Sequence, residues 1–256
     1  MNVLELFSGT GSVGKVCHKL GWDTISVDLE LPATHECDIM DFDYKQYPKD
    51  YFSIVWGSPP CTDYSTLQNC WLNRKKADGI VYTREVMEDR MNHADKLVLK
   101  TFEIIEYFNP ELWCVENPAT GRLKSREIMK DIPFYDVSYC MYSDWGYEKK
   151  TRIWTNKKDW NNLVCDKSGS CGNMILIDNG NRHLHKTNCG NTEKQQAVRK
   201  HKLRVSDVHS ENTLKHCKSA VGGSSKINGE WVNKGTPNKL DRYRVPEKLI
   251  LSLFID

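Results

Sequence analysis

The first 28 residues restrict this chain to an α/β layout. Val3-Leu4-Glu5-Leu6 reads as a short strand, and Phe7-Ser8-Gly9-Thr10-Gly11-Ser12-Val13-Gly14 follows it. Val13, Val16, Cys17 and Leu20 then recur at helical spacing, Gly21 closes the helix, and Thr24-Ile25-Ser26-Val27-Asp28 reads as a second strand with an acid at its tip. Strand, helix and strand in so short a span read as the start of a βαβ unit, with glycines at its first turn. Gly9-x-Gly11-x-x-Gly14 matches the dinucleotide fingerprint, in which glycines let a ligand approach the backbone and the helix N-terminus. Asp28 stands where a carboxylate can take ribose hydroxyls. NAD, FAD and S-adenosylmethionine all satisfy that pattern.

The second constraint is Ile54-Val55-Trp56-Gly57-Ser58-Pro59-Pro60-Cys61. An apolar strand runs into two prolines, which donate no backbone hydrogen bond and fix φ, so the sheet stops and Cys61 is held just beyond it. Leu112-Trp113-Cys114-Val115 is a further strand, and Glu116-Asn117-Pro118 ends it in the same way. In open α/β sheets ligands bind at the carboxyl ends of the strands. A thiol and a carboxyl on two stiff strand ends are therefore expected to face one crevice. Asp38 follows a third strand and could accept from an adenine amino group or act as a turn residue.

Residues 62–84 form a long polar connection with the basic triplet Arg74-Lys75-Lys76, and a loop of that length is usually functional or mobile. A helix is predicted from Arg84 to Phe108, with Met87, Met91, Ala94, Leu97, Val98, Thr101, Ile104, Ile105 and Phe108 as its core stripe. Strands are predicted around Tyr135–Met141 and over Lys149–Thr155. Alternation in the latter puts Arg152 and Trp154 on one face and Thr151, Ile153 and Thr155 on the other.

Charge then divides the chain. Residues 157–235 hold 14 Lys and Arg against 7 Asp and Glu, a net +7, whereas the remainder carries −5. A basic module on a mildly acidic body points to an acidic partner, of which nucleic acid is the commonest. The module has little apolar content, so a metal staple would help it fold. Cys165, Cys171, His185 and Cys189 form a Cys3His set suited to zinc, with His183 as an alternative to His185. No apolar run approaches the ~18 residues of a membrane span, and a strand starting at Val3 leaves no room for a targeting peptide. A soluble, intracellular monomer with reduced or metal-bound cysteines is expected.

Phe7-Ser8-Gly9-x-Gly11, Asp28, Pro59-Pro60-Cys61, Glu116-Asn117 and Arg152 together resemble the ordered motifs of the C5-cytosine methyltransferases. The resemblance covers roughly residues 1–156 and the closing helix. Thr62, Pro118 and the short Lys-Lys-Thr-Arg152 motif depart from the usual pattern and resemble the compact variants of viruses and phages. The resemblance implies a Rossmann-like, S-adenosylmethionine-binding catalytic domain over 1–156, a target-recognition region over 157–235 and a closing helix within 236–256. It implies Cys61, Glu116 and Arg152 as catalytic residues. It further implies Phe7, Ser8, Gly9, Thr10, Gly11, Asp28, Asp38 and Pro59 at the cofactor, and Arg74, Lys75, Lys76 and Asn117 at DNA. RNA as the substrate, and an inactive nucleic-acid-binding relative, are the alternatives. A nicotinamide-dependent oxidoreductase would leave Cys61, Glu116-Asn117 and the basic segment unexplained.

Overall fold

The computed structural model describes residues 1–75, 79–177, 182–185, 224–227, 230–233 and 243–255. Seven strands form one sheet: β1 (Asn2–Leu6), β2 (Asp23–Asp28), β3 (His35–Glu36), β4 (Ile54–Gly57), β5 (Leu112–Pro118), β6 (Phe134–Ser138) and β7 (Lys150–Thr155). Their order is β3-β2-β1-β4-β5-β7-β6. β1 is parallel to both β2 and β4, β4 is parallel to β5, and β7 runs antiparallel to β5. After β1 the chain turns to one side for β2, then returns to the other side for β4. The topological switch therefore lies between the loops that follow β1 and β4, which are the two motif-bearing loops.

Helix α1 (Ser12–Lys19) buries Val13, Val16 and Cys17. Helix α2 (Arg84–Phe108) matches the predicted bounds: the Thr83 hydroxyl caps it by accepting from the Val86 N–H, and Asn109 ends it at φ 45°. Its apolar stripe shares one core with Leu4, Leu6, Val55 and Val115 from the sheet. Gly57 lets the helix come near, since a Cβ there would stand 2.8 Å from the Thr101 methyl. Helix α3 (Glu247–Phe254) buries Leu249, Ile250 and Leu253. It is tied to the first helix region by Lys19–Glu247 at 2.6 Å and by stacking of Phe254 on Trp22. Among the described residues no helix is long and apolar enough to cross a membrane.

The chain divides into two compact units. The first contains the sheet and comprises Met1–Val137, Lys150–Asn162 and Val245–Asp256; the second comprises Ser138–Lys149 and Leu163–Arg244. Residues 163–235 of the basic segment thus fall in one unit with Ser138–Lys149, and residues 157–162 fall in the sheet unit. Within the second unit β8 (Met174–Ile177) pairs antiparallel with β9 (Arg182–His185), and β10 (Ser224–Ile227) with β11 (Glu230–Asn233).

Candidate active site

The loop after β1 is shaped by its backbone. Phe7, Gly9 and Gly11 all have positive φ, at 56°, 54° and 64°. For Phe7 that conformation is costly and persists only where the surroundings impose it. Asp28, at the tip of β2, imposes part of it. Its Oδ2 accepts from the Gly9 N–H at 2.7 Å, and its Oδ1 accepts from the N–H groups of Glu30 and Leu31 at 2.9 and 2.8 Å. Asp28 was expected at a ribose. In the structure it clamps the loop after β1, with three of a carboxylate's roughly four acceptor positions taken by backbone. Asp38 likewise closes a turn through Oδ1, accepting from the Met40 N–H at 2.9 Å.

Glu5, inside β1, is 3% exposed. Its two oxygens accept from the N–H groups of Val13 and Gly14 at 3.1 and 2.9 Å, so a buried carboxyl caps α1 from the preceding strand. Burial is the largest influence on it and pushes its pKa up to about 7, against the lowering effect of those two bonds and of Lys15. Sequence reasoning gave Glu5 no role. The available signal was a charged residue within an otherwise apolar strand.

Cys61 is half-buried beyond the end of β4, and Glu116 is buried near the end of β5. Asn117, next to Glu116, links the two motifs: its Nδ2 donates to the Pro59 carbonyl at 2.8 Å. It was expected to contact DNA, and in the structure it joins the two strand ends. The turn is stiffened again downstream of Cys61. Tyr64 is fully buried, its hydroxyl donates to Asp95 Oδ1 at 2.8 Å, and Arg126 grips Asp95 Oδ2 at 2.7 and 2.9 Å. Arg90 pairs with Asp63 at 2.8 Å. The start of the 62–84 connection is therefore anchored to α2. Farther along, Leu67, Trp71, Ile80 and Val81 are exposed, and Lys75 bridges to Val81. Arg74 belongs to this stretch, and Lys76 lies outside the described residues.

Arg152 is not brought to Glu116. In the β5–β7 register it stands opposite Asn117, while Ile153 is opposite Glu116. Directly opposed residues share a face and successive residues alternate, so Arg152 and Glu116 project from opposite faces. The guanidinium donates to both oxygens of Asp136, at 2.7 and 2.8 Å, and lies 3.5 Å from the Phe134 ring centroid. It lines a cleft of about 520 Å³ with Phe134, Trp154 and Lys130.

No family model matches the chain. A protein of Frog virus 3 (isolate Goorha), described as a probable DNA (cytosine-5)-methyltransferase, is 37% identical over 209 residues, which is 80% of this chain and 94% of the viral protein. The chain belongs to the DNA (cytosine-5)-methyltransferase family. Among solved structures, the methyltransferase EhMeth of Entamoeba histolytica is 15% identical, with TM-score 0.43, 65% of this chain and 57% of that one. A DNMT2 mutant of Spodoptera frugiperda is 12% identical, with TM-score 0.44 and 97% of each chain covered.

The second unit of this methyltransferase holds a separate side-chain cluster. Cys140, Cys165, Cys171 and His185 bring three sulfurs and an imidazole nitrogen within 4.8 Å of one another. Of the expected metal set, Cys165, Cys171 and His185 meet, and the Nε2 of His185 lies 3.8 and 3.7 Å from the two sulfurs. Cys140 is the fourth member. Cys189 lies outside the described residues. Nothing in the spacing of Cys140, set between β6 and β7, distinguished it from a core thiol.

Proposed function

We propose that this chain transfers a methyl group from S-adenosylmethionine to carbon 5 of cytosine in DNA, with Cys61 as the nucleophile. The observation that carries the reading is the Asn117–Pro59 bond, which holds the Pro-Pro-Cys turn and the Glu-Asn strand end together at the carboxyl edge of the sheet. The viral relative's description supports cytosine in DNA as the target.

The loop after β1 fits the cofactor. Left-handed backbone at Phe7, Gly9 and Gly11 turns the chain sharply, and a Cβ built on Gly11 would meet nothing within 4 Å, so the turn stays open to a ligand. Ser8 through Gly11, held by Asp28, would cradle it, with Asp38 and Pro59 at its margins. When bound, S-adenosylmethionine supplies an electrophilic methyl group. Every other demand falls on the protein.

Carbon 5 of cytosine is too weak a nucleophile to attack a sulfonium. The Cys61 thiolate adds to carbon 6, and carbon 5 becomes enamine-like. Glu116 hydrogen-bonds N3 and the exocyclic amine, favouring protonation at N3 as the sulfur adds. After methylation a base removes the carbon 5 proton, the electron pair restores the 5,6 double bond, and the thiolate leaves. Water serves as that base, since no side chain among the described residues of the site is placed for it. Arg152 serves at one remove, bracing β7 beside Asn117 through Asp136. The target base must leave the duplex to reach Cys61. Arg74, Lys75 and the exposed Leu67 and Trp71 supply charge and apolar surface on the neighbouring connection.

DNA containing 5-fluorocytosine tests the reading, because fluorine blocks the final elimination and traps the Cys61 thioether. A covalent adduct is expected with S-adenosylmethionine present, lost in Cys61→Ser and slowed in Glu116→Gln. An adduct on RNA alone would change the substrate, and an adduct that survives Cys61→Ser would overturn the nucleophile.

A further inference from the structure

We infer that Cys140, Cys165, Cys171 and His185 form a closed structural zinc site that folds the second unit around the metal. The inference stands apart from the methyl-transfer reading, since all four residues lie in the second unit. Tetrahedral zinc with Zn–S near 2.3 Å and Zn–N near 2.0–2.1 Å places sulfur and nitrogen ligands about 3.6 Å apart, and sulfurs about 3.8 Å apart. The two sulfur–nitrogen separations here are 3.8 and 3.7 Å, and the ligand atoms of all four residues fall within 4.8 Å. Three of the four residues are buried and Cys171 is half-buried. Four protein ligands with little solvent access describe a structural site, because a catalytic zinc keeps a position open to water.

The surroundings hold the ligands rather than fill the gap between them. Lys167, Gly169 and Gly172 have positive φ, which folds the chain tightly enough for Cys165 and Cys171 to meet. Asp166 Oδ1 stitches that turn by accepting from the Ser168 N–H at 2.9 Å and from the hydroxyls of Ser168 and Ser170. The pairing of Met174 with His185 brings the imidazole alongside Cys171. Asn173, buried at 3% exposure, has its amide nitrogen within 3.0 Å of the carbonyls of Cys140, Ser143 and Cys171, and its Oδ1 accepts from the Gly146 N–H. One side chain thus fixes the backbone of two ligand-bearing segments, the outer-shell support that metal sites use. Cys140 comes from the excursion between β6 and β7, and the other ligands come after β7. The metal therefore ties together two stretches that β7 separates in sequence. A segment so poor in apolar residues gains from it the cross-link that its core cannot provide.

The test is elemental analysis of the full-length protein purified without added metal, paired with cobalt(II) exchange. Near-stoichiometric zinc is expected, and the cobalt form should show thiolate-to-metal charge transfer with intense tetrahedral ligand-field bands. Cys140→Ser should lose most of the zinc, whereas Cys189→Ser should retain it. If Cys140→Ser fails to fold, the wild-type protein decides: a chelator should expose three additional reactive thiols and speed proteolysis of the second unit. Iron in place of zinc, thiols that all react before chelation, or zinc lost from Cys189→Ser and kept in Cys140→Ser would each overturn the assignment.

Discussion

The side-chain amide of Asn117 donates to the Pro59 carbonyl at 2.8 Å, and its own Oδ1 is buried without a hydrogen-bond partner. The amide is thus oriented by one bond, which spans from the strand bearing Glu116 to the turn bearing Cys61. Asn117→Ala should destabilise the fold by about 1–3 kcal/mol, the cost of leaving a buried carbonyl unpaired. With Cys61 released, kcat should fall by about tenfold or more, equivalent to about 1.4 kcal/mol of lost positioning. S-adenosylmethionine affinity should hardly change, because the cofactor loop is clamped by Asp28 instead. Calorimetric titration beside steady-state kinetics separates the two effects, and a matching loss of cofactor binding would refute it.

Glu5 makes stability depend on pH. Its folded-state pKa of about 7 lies above the ordinary 4.5, so between those values the folded chain holds a proton that the unfolded chain has released. Its contribution is complete below about pH 4.5 and is lost as pH rises through about 7. Relative to Glu5→Gln, wild type should therefore lose stability on going from acid to mildly alkaline buffer, by on the order of 3 kcal/mol. Urea unfolding at both ends of that window measures it. A difference that is flat with pH would refute the shift.

Gly57 is fixed by the approach of α2. Gly57→Ala places a methyl 2.8 Å from Thr101 Cγ2, and overpacking of that kind costs about 1–3 kcal/mol. Thr101→Ser removes the opposing methyl and keeps the hydroxyl that donates to the Leu97 carbonyl at 2.9 Å. The double variant should recover most of the lost stability in thermal unfolding. An equal loss in single and double variants would place the strain elsewhere.

Arg152 and Asp136 should behave as one unit. Removing either partner should cost about 1 kcal/mol or less, given the exposure of Asp136, and the double variant should cost little more than one single change. Methyl transfer should fall far less in Arg152→Ala than in Cys61→Ser. A loss comparable to that of Cys61→Ser would overturn this supporting role for Arg152.

Local patterns were legible in the sequence wherever a single element carries them. The apolar stripe of α2, the alternation in β7 and the proline stops after β4 and β5 depend only on neighbours along the chain. What escaped is what the chain assembles across distance. Glu5 as a cap for α1, Asn117 on Pro59, Asp136 on Arg152 and Cys140 beside Cys165 each pair side chains through the sheet or through a second excursion. Arg152 shows the limit well: its face was foreseen, but the face of Glu116 depends on a register that no single strand reveals.

Helix α3 packs beside α1, though nearly the whole chain separates them. During synthesis the apolar side of α1 must wait for α3 to emerge, and the long connection after Asn162 has to be crossed before the sheet unit can close. Closure of this kind is slow, since distant contacts reward the chain only after the loop entropy has been met. Its equilibrium cost grows slowly with the length of chain to be closed, by about 0.6 kcal/mol per doubling. That connection can therefore change in length at little cost to the sheet unit that carries Cys61.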